Sequence, residues 1–122
     1  MTDRTLTATR SSDPSGVVVL TVAGELDHHT APEVTQVLQQ TPFTPDTPVV
    51  LDLAGLTYCD STGITVLVSA YNRSRESGTP LVLAAVRDDL MRVLQIVGLD
   101  QIFTFRPTVD EAVTALRTSA ES

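Results

Sequence analysis

The chain has 122 residues, 42% of them hydrophobic, and a formal net charge of -7. That is enough apolar material for one core and too little for two ordinary ones, and the acidic balance excludes a surface built to neutralise nucleic-acid or anionic-membrane phosphates. Every basic residue is an arginine and Cys59 is the only cysteine, so mechanisms that need a lysine, an internal disulfide or a cysteine zinc cluster are closed to it.

Residues Met1 to Ser15 are polar, with no apolar segment behind a basic region, and no apolar run approaches membrane-spanning length. A cytoplasmic protein is expected, forming a single domain over 1–122 with its core at about 5–117. Thr5 to Thr9 alternates weakly and reads as an edge strand, turned back through Asp13-Pro14-Ser15-Gly16 into the apolar run Val17 to Ala23. Gly24 is expected to end that strand. Glu25 to His29 then form a polar connection to a helix whose start, Thr30 and Glu33, has capping-box spacing, with Val34, Val37 and Leu38 as its apolar stripe.

Pro42, Pro45 and Pro48 predict a stiff exposed loop ahead of the short, β-branched strand Val49 to Leu53. At Asp60-Ser61-Thr62-Gly63 the periodicity changes to that of a helix carrying Ile64, Leu67, Val68 and Tyr71, ending near Ser77 with Gly78 as its stop. Leu81 to Ala85 is the next strand. Asp88 and Asp89 open a third helix with Leu90, Val93, Leu94 and Val97 as its inward stripe, and a short strand around Ile102 to Phe105 follows. Thr108 and Glu111 repeat the capping-box spacing before a last helix with Val109, Val113 and Leu116 inward, and Thr118 to Ser122 is expected to fray. The order ββαβαβαβα predicts an α/β domain: four helices on a mostly parallel sheet of four or five strands, with an antiparallel strand at its N-terminal edge.

Few residues support enzyme chemistry. His28 and His29 with Glu25 and Asp27 lack a third strong ligand at metal-binding spacing, and neighbouring residues in an extended turn point apart. Ser61 with a histidine and Asp60 lacks the nucleophile elbow, because Cys59 and Asp60 precede it. Asp52 resembles a receiver phospho-acceptor, but that chemistry needs a lysine and an acidic pair after the first strand. Cys59 reads as a small apolar filler. The remaining constellation is a hydroxyl at a helix start, where Asp60 or Ser61 suits the N-cap and the unpaired N–H groups favour an anion.

Two motifs, Gly24-Glu25-Leu26-Asp27-His28-His29-Thr30-Ala31 and Asp60-Ser61-Thr62-Gly63, resemble in position and order those of the bacterial anti-sigma factor antagonists of the STAS fold. The resemblance spans roughly Val17 to Leu116. It implies that Ser61 is phosphorylated by an anti-sigma factor that is itself a serine kinase, with ATP and magnesium on that partner, and dephosphorylated by a serine phosphatase. It implies further that Asp27, His28, Asp60, Ser61, Thr62 and Gly63 form the partner-facing surface and that the protein is a kinase substrate, not an enzyme, with no cofactor of its own. The acidic balance adds the expectation of no direct contact with nucleic acid or membrane. A STAS scaffold or ligand-sensing domain that works without phosphorylation is the alternative. Thr65 and the proline-studded Thr41 to Pro48 loop depart from the family pattern.

Overall fold

A computed structural model describes residues 6–121; Thr5 and Ser122, named in two of the expectations above, lie outside them. Six strands, β1 (Leu6–Ser12), β2 (Val18–Leu26), β3 (Val49–Asp52), β4 (Leu56–Cys59), β5 (Leu81–Ala84) and β6 (Phe105–Arg106), alternate with four helices, α1 (Ala31–Gln40), α2 (Ser61–Ser77), α3 (Asp88–Ile96) and α4 (Val109–Glu121). The strands form one sheet in the order β1-β2-β3-β5-β6, with β4 paired to β2 beyond the reach of β3. Only β1 and β2 run antiparallel; every other pairing is parallel. The expected class is therefore correct, with one strand more than expected.

Alternation along the strands sorts the core onto two faces. Val49, Leu51 and Leu83 point to the side covered by α1, α2 and α3, through Val34, Leu38, Leu67, Leu90 and Leu94. Val50, Val82 and Ala84 point to the other side, where Ala112, Val113 and Leu116 of α4 cover them. Both faces of β3 and β5 are thus shielded, which is why these strands are continuous apolar runs rather than alternating ones. Removing a packed leucine here, as in Leu67→Ala, belongs to a class of substitution that costs about 2–5 kcal/mol.

Three local expectations are corrected. Gly24 does not end β2. It has φ +105°, and at the Gly24/Glu25 step the ladder is bulged, so the strand bends and continues to Leu26. Beyond the bulge β2 exchanges its partner: Val18 to Thr21 pair with β3, whereas Gly24 to Leu26 pair with β4. The last strand, β6, starts at Phe105, because Leu99–Gln101 forms a 3-10 turn and Phe103 packs into the core ahead of the ladder. In α3 only Leu90 and Leu94 are buried. Val93 and Val97 of the expected inward stripe are 38% and 55% exposed, because this helix turns a narrower strip toward the sheet than its apolar residues span.

The loop after α1 is anchored as well as exposed. The Thr41 hydroxyl is buried and donates to Val37 O at 2.7 Å, while the Arg73 guanidinium lies 4.2 Å from the centre of the Phe43 ring and donates to the carbonyls of Leu38 and Thr41. An α2 cation thereby satisfies the carboxyl end of α1, where the dipole favours positive charge.

Candidate functional site

The bend at Gly24 brings the two sequence motifs together. Leu26 pairs with Cys59, and the Asp60 N–H donates to Leu26 O at 3.1 Å. Asp27 and Asp60, each the first residue after its strand, therefore leave the sheet side by side at its carboxyl edge, where open α/β sheets place their binding sites.

Asp60 is the N-cap of α2: its Oδ1 accepts from Gly63 N at 3.0 Å. Ser61 follows as the first helical residue and is exposed; its hydroxyl has no intramolecular partner among the described residues, while its carbonyl accepts from the Thr65 hydroxyl at 3.0 Å. Thr62 is half-buried and turns away, toward a groove shared with His28. Gly63 is buried against β2 and β4. A Cβ there would stand 2.6 Å from Cys59 Sγ and 2.8 Å from Leu26 Cγ, so only glycine lets the helix start this close to the sheet. The Cys59 thiol is pushed up to about 11 by burial and, secondarily, by the Asp60 charge, which keeps it protonated and inert near neutrality.

On the other motif, Asp27 Oδ1 accepts from His29 N at 2.9 Å and Thr30 N at 3.1 Å. These bonds, that from Thr30 first, hold the Asp27 carboxyl below its ordinary value. Thr30 departs from the capping-box expectation: its hydroxyl does not cap α1 but donates to Glu25 O at 2.8 Å and accepts from Asp27 N at 2.9 Å. His28 and His29 are exposed with their rings 4.0 Å apart. No group of three or more candidate metal ligands occurs among the described residues.

Two surfaces flank Ser61. On one side α1 and α2 diverge into an open groove of about 820 Å³ whose floor includes Ala31, Leu38, Val66 and Ala70. On the other, Tyr58 is 52% exposed and Ile96 77%, joining Val93 and Val97 as the large apolar side chains left in solvent among the described residues. Tyr58, Cys59 and Val93 line one crevice, so this patch reaches the strand that leads into Ser61. The sequence reading missed the patch; the signal available was an apolar stripe on α3 wider than one buried face needs.

The STAS domain family pattern matches residues 10–112. The chain belongs to the STAS domain family. Among its relatives, the anti-sigma-B factor antagonist of Listeria monocytogenes is 36% identical over 85 residues, covering 70% of this chain and 75% of that protein. The anti-sigma F factor antagonist of Paenibacillus polymyxa is 30% identical over 102 residues, covering 83% and 85%. Among solved structures, an anti-sigma factor antagonist from Mycobacterium paratuberculosis superposes with a TM-score of 0.78 at 30% identity, covering 92% of this chain and 94% of that one. No helix among the described residues is long and apolar enough to cross a membrane.

Proposed function

We propose that this STAS domain is an anti-sigma factor antagonist that binds an anti-sigma factor kinase when Ser61 is unmodified and is released when Ser61 is phosphorylated. The observation that carries the reading is the placement of Ser61: an exposed hydroxyl with no internal partner among the described residues, at the first position of a helix whose N-cap is Asp60, at the end of the strand that pairs with the one leading into Asp27. The relatives' names support the antagonist role. Asp27, His28, Asp60, Ser61 and Thr62 form the centre of the docking surface; Gly63, expected there from the sequence, is buried beneath it and seats the helix on the sheet. The Tyr58, Val93, Ile96 and Val97 patch extends the surface with the apolar area that protein partners bury. The chain acts as one cytoplasmic domain, and a serine phosphatase resets it.

The kinase supplies ATP and magnesium. Ser61 Oγ forms a bond to the γ-phosphorus as that phosphorus parts from the oxygen of the leaving ADP, and the hydroxyl proton passes to a base on the kinase. The phosphoserine carries about -1.5 to -2 charges. The unpaired N–H groups at the start of α2 accept that charge locally, whereas an interface closed over Asp27 and Asp60 does not. The switch needs no change of fold.

Incubation with the anti-sigma factor kinases of the same organism and ATP, followed by mapping of the phosphate by mass spectrometry, tests the reading. Phosphate on Ser61, absent from Ser61→Ala and retained in Thr62→Ala, is expected. Undiminished labelling of Ser61→Ala overturns the assignment. The α1–α2 groove favours a second reading, a domain that senses a small ligand without phosphorylation; a chain that no kinase labels, but that binds an anti-sigma factor or a small molecule, would fit that reading instead.

A further inference from the structure

We propose that Thr30 is a positioning residue for the switch, holding Asp27 at the mouth of the Ser61 site so that the kinase meets a preformed surface; this rests on the reading of Ser61 as the acceptor. Thr30 is buried at the N-cap position of α1, yet its hydroxyl makes no capping bond to that helix. It spends its bonding inside the loop instead: Oγ1 donates to Glu25 O at 2.8 Å and accepts from Asp27 N at 2.9 Å, while Thr30 N donates to Asp27 Oδ1 at 3.1 Å. Ala31 N adds a bond to Asp27 O at 2.8 Å. Both the backbone and the carboxylate of Asp27 are therefore tied to one side chain and its neighbours.

The ties matter because of what lies on either side. Glu25, whose carbonyl takes the Thr30 hydroxyl, belongs to the bulged end of β2, and Leu26 beside it carries the hydrogen bond that fixes Asp60. Thr30 thus bridges the strand end that sets α2 to the loop that presents Asp27. Without the hydroxyl, Asp27 N and Glu25 O lose their partner, and the loop is no longer held in one arrangement before binding. An interface that orders on binding loses affinity to that ordering. The cost falls on recognition of the protein substrate rather than on phosphoryl transfer, since Ser61 and its cap Asp60 stand on α2 and keep their own bonds.

The test is steady-state phosphorylation of the full chain by an anti-sigma factor kinase that labels wild type. Thr30→Val is expected to raise KM for the protein substrate about tenfold with kcat nearly unchanged. Thr30→Ser, which keeps the hydroxyl, is expected to restore KM to within about twofold. The double variant Asp27→Ala/Thr30→Val is expected to lose no more than Asp27→Ala alone, because Thr30 acts through Asp27. Additive losses, or a fall in kcat with KM intact, overturn the proposal. If Thr30→Val does not fold, amide exchange on wild type still decides: protection of the Asp27 N–H supports the tie and exchange at the open-chain rate overturns it. Wild type labelled elsewhere than Ser61 fails the functional reading itself, whereas wild type labelled at Ser61 with Thr30→Val kinetically unchanged fails only this inference.

Discussion

The starts of α1 and α2 follow neighbouring parallel strands, and each strand is succeeded by an aspartate, yet the two carboxylates do different work. Asp60 directly precedes its helix and caps it through Gly63 N. Asp27 stands four residues ahead of Ala31, so the N–H groups it meets are those of His29 and Thr30, in the loop. Distance from the helix start decides which donors a short acidic side chain can reach. Asp60, as the N-cap, leaves the Ser61 hydroxyl without a partner among the described residues, and Asp27, turned back on its loop, holds a fixed carboxylate at the end of the neighbouring strand. One start is a rigid pedestal and the other a preformed rim.

The largest expected effect breaks the pedestal by volume. Gly63→Ala forces a methyl into Cys59 Sγ and Leu26 Cγ and is expected to cost about 1–3 kcal/mol in denaturant unfolding, with Cys59→Ala recovering part of the loss in the double variant. Full recovery would show that Leu26 yields freely; none would show that Cys59 is not the obstacle. Next is the cap itself: Asp60→Ala is expected to cost about 0.5–2 kcal/mol, and Asp60→Asn much less, because an amide oxygen still accepts from Gly63 N.

A smaller effect separates the rim from the pedestal by pH. The Asp27 carboxyl titrates below its ordinary 3.8 in the folded chain, chiefly through the Thr30 N–H. A depressed folded value means that the ionised form favours the fold, so its contribution is complete above the unfolded value and is lost as pH falls through the folded one. The melting temperature of wild type relative to Asp27→Asn is thus expected to stay level above about pH 5 and to drop below about pH 4. An unchanged difference across that window would show that the loop bonds do not depend on the charge. Smallest is Ser61→Asp, which places an acid in the first turn of α2 and is expected to stabilise the fold by about 0.3–1 kcal/mol.

Much of this contrast was legible in the sequence. Periodicity showed the strand-to-helix change around Asp60, and the Ser61 position followed from it. The strand β4 was not visible, because of Leu56, Thr57, Tyr58 and Cys59 only Leu56 is buried, leaving neither an apolar run nor an alternation. Its absence also hid the adjacency of Asp27 and Asp60, which depends on β2 passing Gly24 as a bulge instead of stopping there. At Thr30 the capping-box spacing was present, but tertiary geometry gave the hydroxyl to Glu25. On α3, four apolar residues at helical spacing could not reveal which half the sheet would cover; Leu90 and Leu94 took the core, and Val93 and Val97 were left in solvent.

The central claim is that charge at Ser61, on a fold that does not change, turns binding off. Calorimetric titration of an anti-sigma factor with unmodified, Ser61-phosphorylated and Ser61→Ala protein, each shown folded by its thermal melt, tests it most directly. The account predicts tight binding of the unmodified and Ser61→Ala forms, and for the phosphorylated form a loss of several kcal/mol, on the order expected for an uncompensated charge in an interface. Equal affinity of the phosphorylated and unmodified forms would contradict it.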